Sequence, residues 1–426
     1  MVDHHLIPFW FFAVVYCFAV CTANQLYSAP DPSYAAHSHV FKEEMAQLSS
    51  RNDLVNTGRL ADHHIHEVIF AMQLRNTKEV TRILHDVSNP ASKNYGHHLT
   101  REELYELTYS PEACAALTVY LNSNGASVVS ETSGGEYITA TAPIAIWEKV
   151  FKTEFFKFHQ THLNGDSHEV VRAKHYSLPR ELNHHVVSVM NVIDMPVLSR
   201  GTLERIGTMP IINEKRRRLS LAGAYRDYGW ITPAKLRIRY NMAENQGNDL
   251  STQAVYSTGK QYFSPPDLAY FQEKISMQPL QPAISIGGHD VMNSSLYDCI
   301  EGNLDLQYIM AMSPGSPTTH WYHLYGISSW IRDLGDIGVV PLVLSISYGQ
   351  YEQSTSEGEI NFFQLKVVRL GVMGVTVVVA AGDSGAARTG YDTSGLCRYE
   401  PMYPSGSMYV VSVGGTVVRT LLTAHW

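Results

Sequence analysis

The sequence predicts two domains of different class, a mixed α+β unit followed by an α/β unit built on a parallel sheet. Three observations carry this. At 426 residues the chain exceeds what one hydrophobic core usually serves. Between His63 and about Leu198, short strand-like and helix-like runs alternate, as in a compact α+β unit. Beyond Thr232 the pattern changes to short, almost unbroken apolar runs rich in Val and Ile, bounded by Gly or Pro. Such runs are strands of a parallel sheet buried under helices. With 45% hydrophobic and 17% charged residues, the chain can bury a substantial core. A net charge of −8 supplies no basic field for nucleic acid.

Residues 1–23 read as a signal peptide. Leu6 to Val20 is nearly all apolar, and Cys21-Thr22-Ala23 offers small residues for cleavage. The n-region carries His4 and His5 but no Lys or Arg, so an uncleaved anchor is the competing reading, against which the run is short. Residues 24–62 are polar with little periodicity. Residues 63–198 form the first domain, with strands expected at Glu67–Gln73, Glu136–Thr141 and Val186–Ile193. Helices are expected there at Thr77–Val87, Arg101–Thr108 and Pro111–Asn122. The pattern lapses at 199–229, where Lys215-Arg216-Arg217-Arg218 is either a processing site or a solvated linker.

In the second domain, 230–426, strands are expected at Val339–Ser347, Val375–Ala381 and Met408–Val413. Between the first two, Ile360, Phe363, Val367 and Leu370 recur at helical spacing. Strand, crossover helix and strand make a right-handed βαβ unit. Once Cys17 and Cys21 leave with the signal, Cys114, Cys299 and Cys397 are an odd set. In an oxidising compartment such a set implies a partner thiol elsewhere. Asn293-Ser294-Ser295 is a glycosylation sequon, so Asn293 is the candidate acceptor.

Chemistry is most legible in Glu301-Gly302-Asn303-Leu304-Asp305. On a helix the two carboxylates fall on one face, with Cβ atoms roughly 5–6 Å apart. By spacing alone, a solvated acidic pair is the simpler reading. Asp383, in Gly382-Asp383-Ser384-Gly385, follows a buried strand, and ligands of α/β sheets bind beyond the carboxyl ends of strands. A turn or helix cap explains the same residues. Ser347-Tyr348-Gly349 follows the preceding strand in the same way. His63, His64 and His66 are not assigned a metal, since no Cys or carboxylate completes a site at a known spacing.

In order along the chain, Glu301-x-x-x-Asp305, Ser347-Tyr348-Gly349, Gly382-Asp383-Ser384-Gly385 and Val413-Gly414-Gly415-Thr416 resemble the sedolisins, the serine-carboxyl peptidases. Thr232-Pro233-x-x-Leu236-Arg237-x-x-Tyr240-Asn241 and Gln261-Tyr262-Phe263-Ser264-x-x-Asp267-Leu268 are similar to the start of that family's mature enzyme. Val87 to Gly96, His98-Leu99-Thr100 and Leu178-Pro179-x-x-Leu182-x-x-His185-Val186 resemble its pro-domain. The likeness runs from His63 to Val417. It implies a ferredoxin-like α+β pro-domain before a subtilisin-like sheet with helices on both faces, here incomplete.

The resemblance further implies a zymogen of an acid-acting peptidase, with tripeptides released from free N-termini as one candidate activity. Glu301 would be the general base and Asp305 its orienting partner. Asp383 would be the oxyanion donor, and Ser347, Tyr348 and Gly349 would contact substrate. A histidine base is already protonated near pH 4, whereas a glutamate is matched to that pH. A carboxylic acid donating to an oxyanion must be protonated, again favouring acid. The family's nucleophile lies in a Ser-Gly-Thr-Ser segment, and the 426 residues contain none. The chain as written is therefore expected to be inactive. A calcium ion is expected for a complete member, at a site beyond Trp426. An unfinished sheet would expose an edge and apolar faces, predicting poor solubility.

The implied partners are a peptide or protein substrate and the chain's own pro-domain as intramolecular inhibitor, without nucleic acid or stable membrane insertion. The implied destination is the secretory pathway, lysosomal or extracellular. The rival reading from another class is a non-catalytic inhibitor or folding partner of a related peptidase. Fourteen of the twenty histidines lie between His37 and His185. Either acid charges them and loosens the pro-domain, or they are surface residues with no switching role.

Overall fold

In the computed structural model, the described residues are 38–45, 54–161, 167–195, 231–242, 245–259, 261–287, 299–323, 326–334, 337, 339–383, 399, 401–415, 418–420 and 423–424. The signal peptide, the 199–229 linker with its basic run, Asn293 and Cys397 lie outside them.

The first domain opens with β1 (His39–Glu44) and β2 (Leu54–Arg59), in the polar stretch where periodicity assigns nothing. β1 is partly buried without alternation and β2 is mostly exposed, so neither carries a burial pattern. Next come β3 (Ile65–Met72), α1 (Thr77–Ser88), α2 (Arg101–Thr108), α3 (Pro111–Ser123), β4 (Ser127–Glu131), β5 (Tyr137–Pro143) and α4 (Ile144–Phe151). Then follow β6 (Phe155–Thr161), β7 (Ser167–Ala173), β8 (His175–Pro179) and β9 (Val186–Met190). The main sheet is antiparallel, in the order β4-β5-β3-β9. β2, β6 and β7 make a second sheet, and β1 pairs with β8.

Local chemistry accounts for several boundaries. α2 starts in a capping box, Thr100 accepting from the Glu103 amide and Glu103 accepting from that of Thr100. Pro111 occupies the first turn of α3, where its missing N–H costs nothing.

β3 organises the molecule because it is buried on both faces. Val68, Phe70 and Met72 point into the domain's own core, while Ile69 and Ala71 belong to the core of the second domain. In the first core, Trp147 stacks on Phe151 at 5.6 Å, and Phe151 meets Tyr176 edge-on at 6.0 Å. The Trp147 indole donates to the His66 carbonyl at 2.9 Å, so its polar edge is satisfied.

The second domain contains α5 (Pro233–Arg239), β10 (Gln253–Ser257), α6 (Pro265–Lys274), β11 (Ile284–Ile286), α7 (Ile300–Met312), β12 (Thr318–Tyr322), α8 (Ile327–Asp333) and β13 (Val343–Ile346). Beyond it lie β14 (Gln350–Tyr351), α9 (Glu357–Val372), β15 (Thr376–Ala380), β16 (Met402–Tyr403) and β17 (Val411–Val413). Six strands make a parallel sheet in the order β11-β12-β10-β13-β15-β17. The βαβ unit expected from periodicity is β13-α9-β15. β13 is shorter than the apolar run because Val339 is 82% exposed and leads into the strand rather than pairing. β17, at the sheet edge, is exposed on both faces, contrary to the two-sided burial its composition suggests.

α9 is buried around most of its circumference, with Phe362, Phe363, Val367 and Leu370 on the sheet side and Val368 and Val372 against α1 and α2. A helix with apolar residues on opposite faces needs cover on both, and here the first domain supplies the second cover. The Tyr137 and Phe362 rings meet at 4.9 Å across the seam. The Leu99 amide donates to the Val372 carbonyl at 2.9 Å.

Candidate active site

The parallel sheet points the ends of β10, β13, β15 and β17 the same way. Ser257 ends β10, and Ser347 to Gly349, Asp383 and Gly414-Gly415 follow strand ends along that same edge. This is where ligands of open α/β sheets are held. β13 and β15 are neighbours, so the segments bearing Ser347 and Asp383 leave adjacent strands.

α7 carries Glu301 and Asp305, one turn apart. Its start is seated on the 261–267 segment. The Glu301 amide donates to the Gln261 side-chain oxygen at 2.9 Å, and the Ser264 amide donates to Asn303 at 2.8 Å. Gly302, between the two carboxylates, is required by contact. A Cβ there would stand 2.5 Å from the Tyr262 carbonyl and 2.7 Å from that of Gln261. The other end of α7 is braced by Arg237, whose guanidinium donates to the Ala311 carbonyl at 2.9 Å and that of Met312 at 3.2 Å. A cation at a helix carboxyl end is favourable in itself.

Glu301 is 9% exposed. Burial, then the charge of Glu301, push the Asp305 carboxyl up to about 7, against a hydrogen bond from Ser347 that favours ionisation. Its Oδ2 is buried with no hydrogen-bond partner among the described residues. The Tyr348 ring is buried and meets Tyr256 edge-on at 5.6 Å. Burial, then Asp305 and Glu301, raise its hydroxyl well above the ordinary tyrosine range. The two acids are therefore a coupled, largely desolvated pair, not the solvated pair that spacing alone would favour. The charge of Glu301 disfavours ionisation of its neighbour, so the two carboxyls are coupled and Asp305 keeps its proton beyond the usual carboxylate range.

The remaining candidates are placed as follows. Ser347 touches Asp305, and Tyr348 lies beneath the pair. Gly349 sits where a Cβ would be 2.6 Å from the Tyr403 carbonyl, so only glycine fits. Asp383 is exposed, directly after Gly382 at φ +90°. Cys114 and Cys299 are buried thiols in separate domains, and burial pushes the Cys114 thiol up to about 12. The sequence marks Gln261 only as part of a motif, without a role. A glutamine has no periodic signature, and only the packing of the 261–267 segment against α7 shows its use. Among the described residues no helix is long and apolar enough to cross a membrane.

Comparison with known proteins extends over both domains. Residues 52–195 match the family described as "Pro-kumamolisin, activation domain". The chain is 27% identical to tripeptidyl-peptidase 1 of Dictyostelium discoideum over 384 residues, covering 83% of this chain and 62% of the relative. It is 27% identical to the Mus musculus and Homo sapiens proteins of that name, covering 85% of this chain and 63% of each. The chain thus spans less than two thirds of the length of these relatives. A matching activation domain over residues 52–195 and relatives that share about a quarter of their residues over most of the chain lead to one conclusion: the chain is similar to the serine-carboxyl peptidases of the sedolisin family.

Proposed function

We propose that this chain comprises the pro-domain and the adjoining part of the catalytic domain of an acid-acting peptidase of the tripeptidyl-peptidase kind. One observation carries the proposal. Glu301 and Asp305 are buried together at the carboxyl edge of a parallel sheet, where Asp305 is held protonated up to about pH 7. In this reading Glu301 takes the proton of a serine hydroxyl, Asp305 orients it, and Asp383 donates to the oxyanion. Ser347, Tyr348 and Gly349 line the approach of the substrate. The sheet order supports a subtilisin-like arrangement, and the β-α-β-β-α-β succession of the main pro-domain sheet supports a ferredoxin-like one. The activation domain, matched over residues 52–195, acts as intramolecular inhibitor, its described residues packing along α9. The secretory pathway is the setting, with residues 1–23 as signal.

The 426 residues hold no Ser-Gly-Thr-Ser segment, so these residues alone are expected to give no turnover. For the complete protein a calcium ion is expected at a site beyond Trp426. The test is to read the transcript past codon 426 and assay the encoded chain on peptides near pH 4. Cleavage abolished by Glu301→Ala and by Asp305→Asn supports the reading. Cleavage that survives both overturns it.

A further inference from the structure

Where the two domains meet, one carboxylate of the first is enclosed by two cations of the second. Glu136 lies at the end of the β4–β5 connection, and its backbone is fixed before any ion pair forms. The Thr132 hydroxyl accepts from the amides of Glu136 and Tyr137, each at 3.0 Å. Gly134 and Gly135 press on the Tyr105 and Tyr109 rings, where an added Cβ would clash at 2.6 and 2.3 Å. Lys366 and Arg369, one turn apart on α9, reach across from the other domain. The Lys366 Nζ donates to Glu136 Oε2 at 2.7 Å, and the Arg369 Nε donates to Oε1. The Arg369 Nη1 donates to Thr108 at 2.7 Å. All three charged side chains are at most 4% exposed.

We propose that Lys366 and Arg369 form a two-cation socket on the catalytic domain, which recognises the pro-domain through Glu136 and fixes its register along α9. Apolar contacts along this seam attract without selecting a position, because the hydrophobic effect is non-directional. A desolvated carboxylate held by two donors fits one position only, since any slip leaves three buried charges unpaired. The partner this surface takes is therefore a hairpin presenting a single acidic side chain beside an aromatic one, as Glu136 and Tyr137 do at the start of β5. The charged groups paired with Glu136 among the described residues are Lys366 and Arg369, which in turn lie over the Tyr137 and Tyr105 rings, with Thr108 accepting from Arg369. Burial opposes ionisation of Glu136, but the two cations overcome it and hold the carboxyl at about 2. The socket is thus expected to stay closed through the mildly acidic range.

This inference rests on reading 54–195 as a docked pro-domain, and its test uses no peptidase activity, so either can fail alone. Hydrogen exchange of α9 is followed in the full chain at pH 7 and pH 4.5, corrected for intrinsic rates, with α4 as internal control. Glu136→Gln should speed α9 exchange on the order of a hundredfold or more, leaving α4 protected. Lys366→Met with Arg369→Met should do the same, and combining all three changes should add little further. Should Glu136→Gln also open α4, the Lys366→Met, Arg369→Met chain decides, because it alters no pro-domain residue. Unchanged α9 exchange in that chain overturns the proposal, as do strictly additive effects or loss of wild-type α9 protection at pH 4.5.

Discussion

Replacing His66 by glutamine should remove much of the acid sensitivity of the pro-domain. His66 lies on β3, its Nε2 donating to the Asn191 carbonyl at 2.7 Å and its ring 5.4 Å from that of Phe155. Burial, joined by the nearby charges of Arg172 and His64, lowers its pKa to about 4 despite the Asn191 bond. An unfolded histidine titrates near 6.5, so between those values the unfolded chain binds more protons. The stability contributed by neutral His66 is complete above about pH 6.5 and is lost as pH falls towards 4. At 1.36 kcal/mol per pH unit, the loss approaches about 3 kcal/mol. Glutamine can keep the hydrogen bond and cannot titrate. Urea unfolding at pH 7, 6, 5 and 4 measures the effect, with hydrogen exchange of β3 as a local probe. The wild-type curve should fall by about 3 kcal/mol more than that of the variant over this range. Parallel losses in the two chains would refute the reasoning, whatever their absolute stabilities.

Asp305→Asn should act with the opposite sign. The raised carboxyl means stability is complete below about pH 4 and is lost as pH rises through 7. The variant should therefore be more stable by up to about 4 kcal/mol at pH 8 and equal to wild type at pH 4; an equal gain at both would refute the assigned cause. Gly302→Ala forces a methyl group against two carbonyls, so it should lower the urea midpoint and loosen the 261–267 segment in hydrogen exchange. A melting curve matching wild type would show that the contact yields freely. Phe362→Ala, at a residue 1% exposed against Tyr137, should cost about 3–5 kcal/mol and expose the seam to limited proteolysis. Size-exclusion chromatography of the 426-residue chain should show association through the exposed edge at β17; a clean monomer would count against it.

The sequence already separated a mixed first domain from a parallel-sheet second one. Alternation and helical spacing are local properties, and they located β13, α9 and β15 to within a few residues. The same spacing put Glu301 and Asp305 on one helical face, because an i, i+4 pair has no other choice once the helix forms. β1 and β2 escaped notice because neither strand carries an alternating burial pattern. His66 was lost among its polar neighbours His63 and His64, and only packing against Phe155 and Arg172 makes it different from them.

What the tertiary structure decided is which charges are dry and who their partners are. Glu136 reads in sequence as the polar start of a strand, yet its cations lie 230 and 233 residues further on. Asp305 reads as one half of a solvated pair until Ser347, Tyr348 and Gln261 close over the start of α7. Desolvation belongs to an assembled environment, not to a residue or its neighbours in the chain, so no local pattern can announce it.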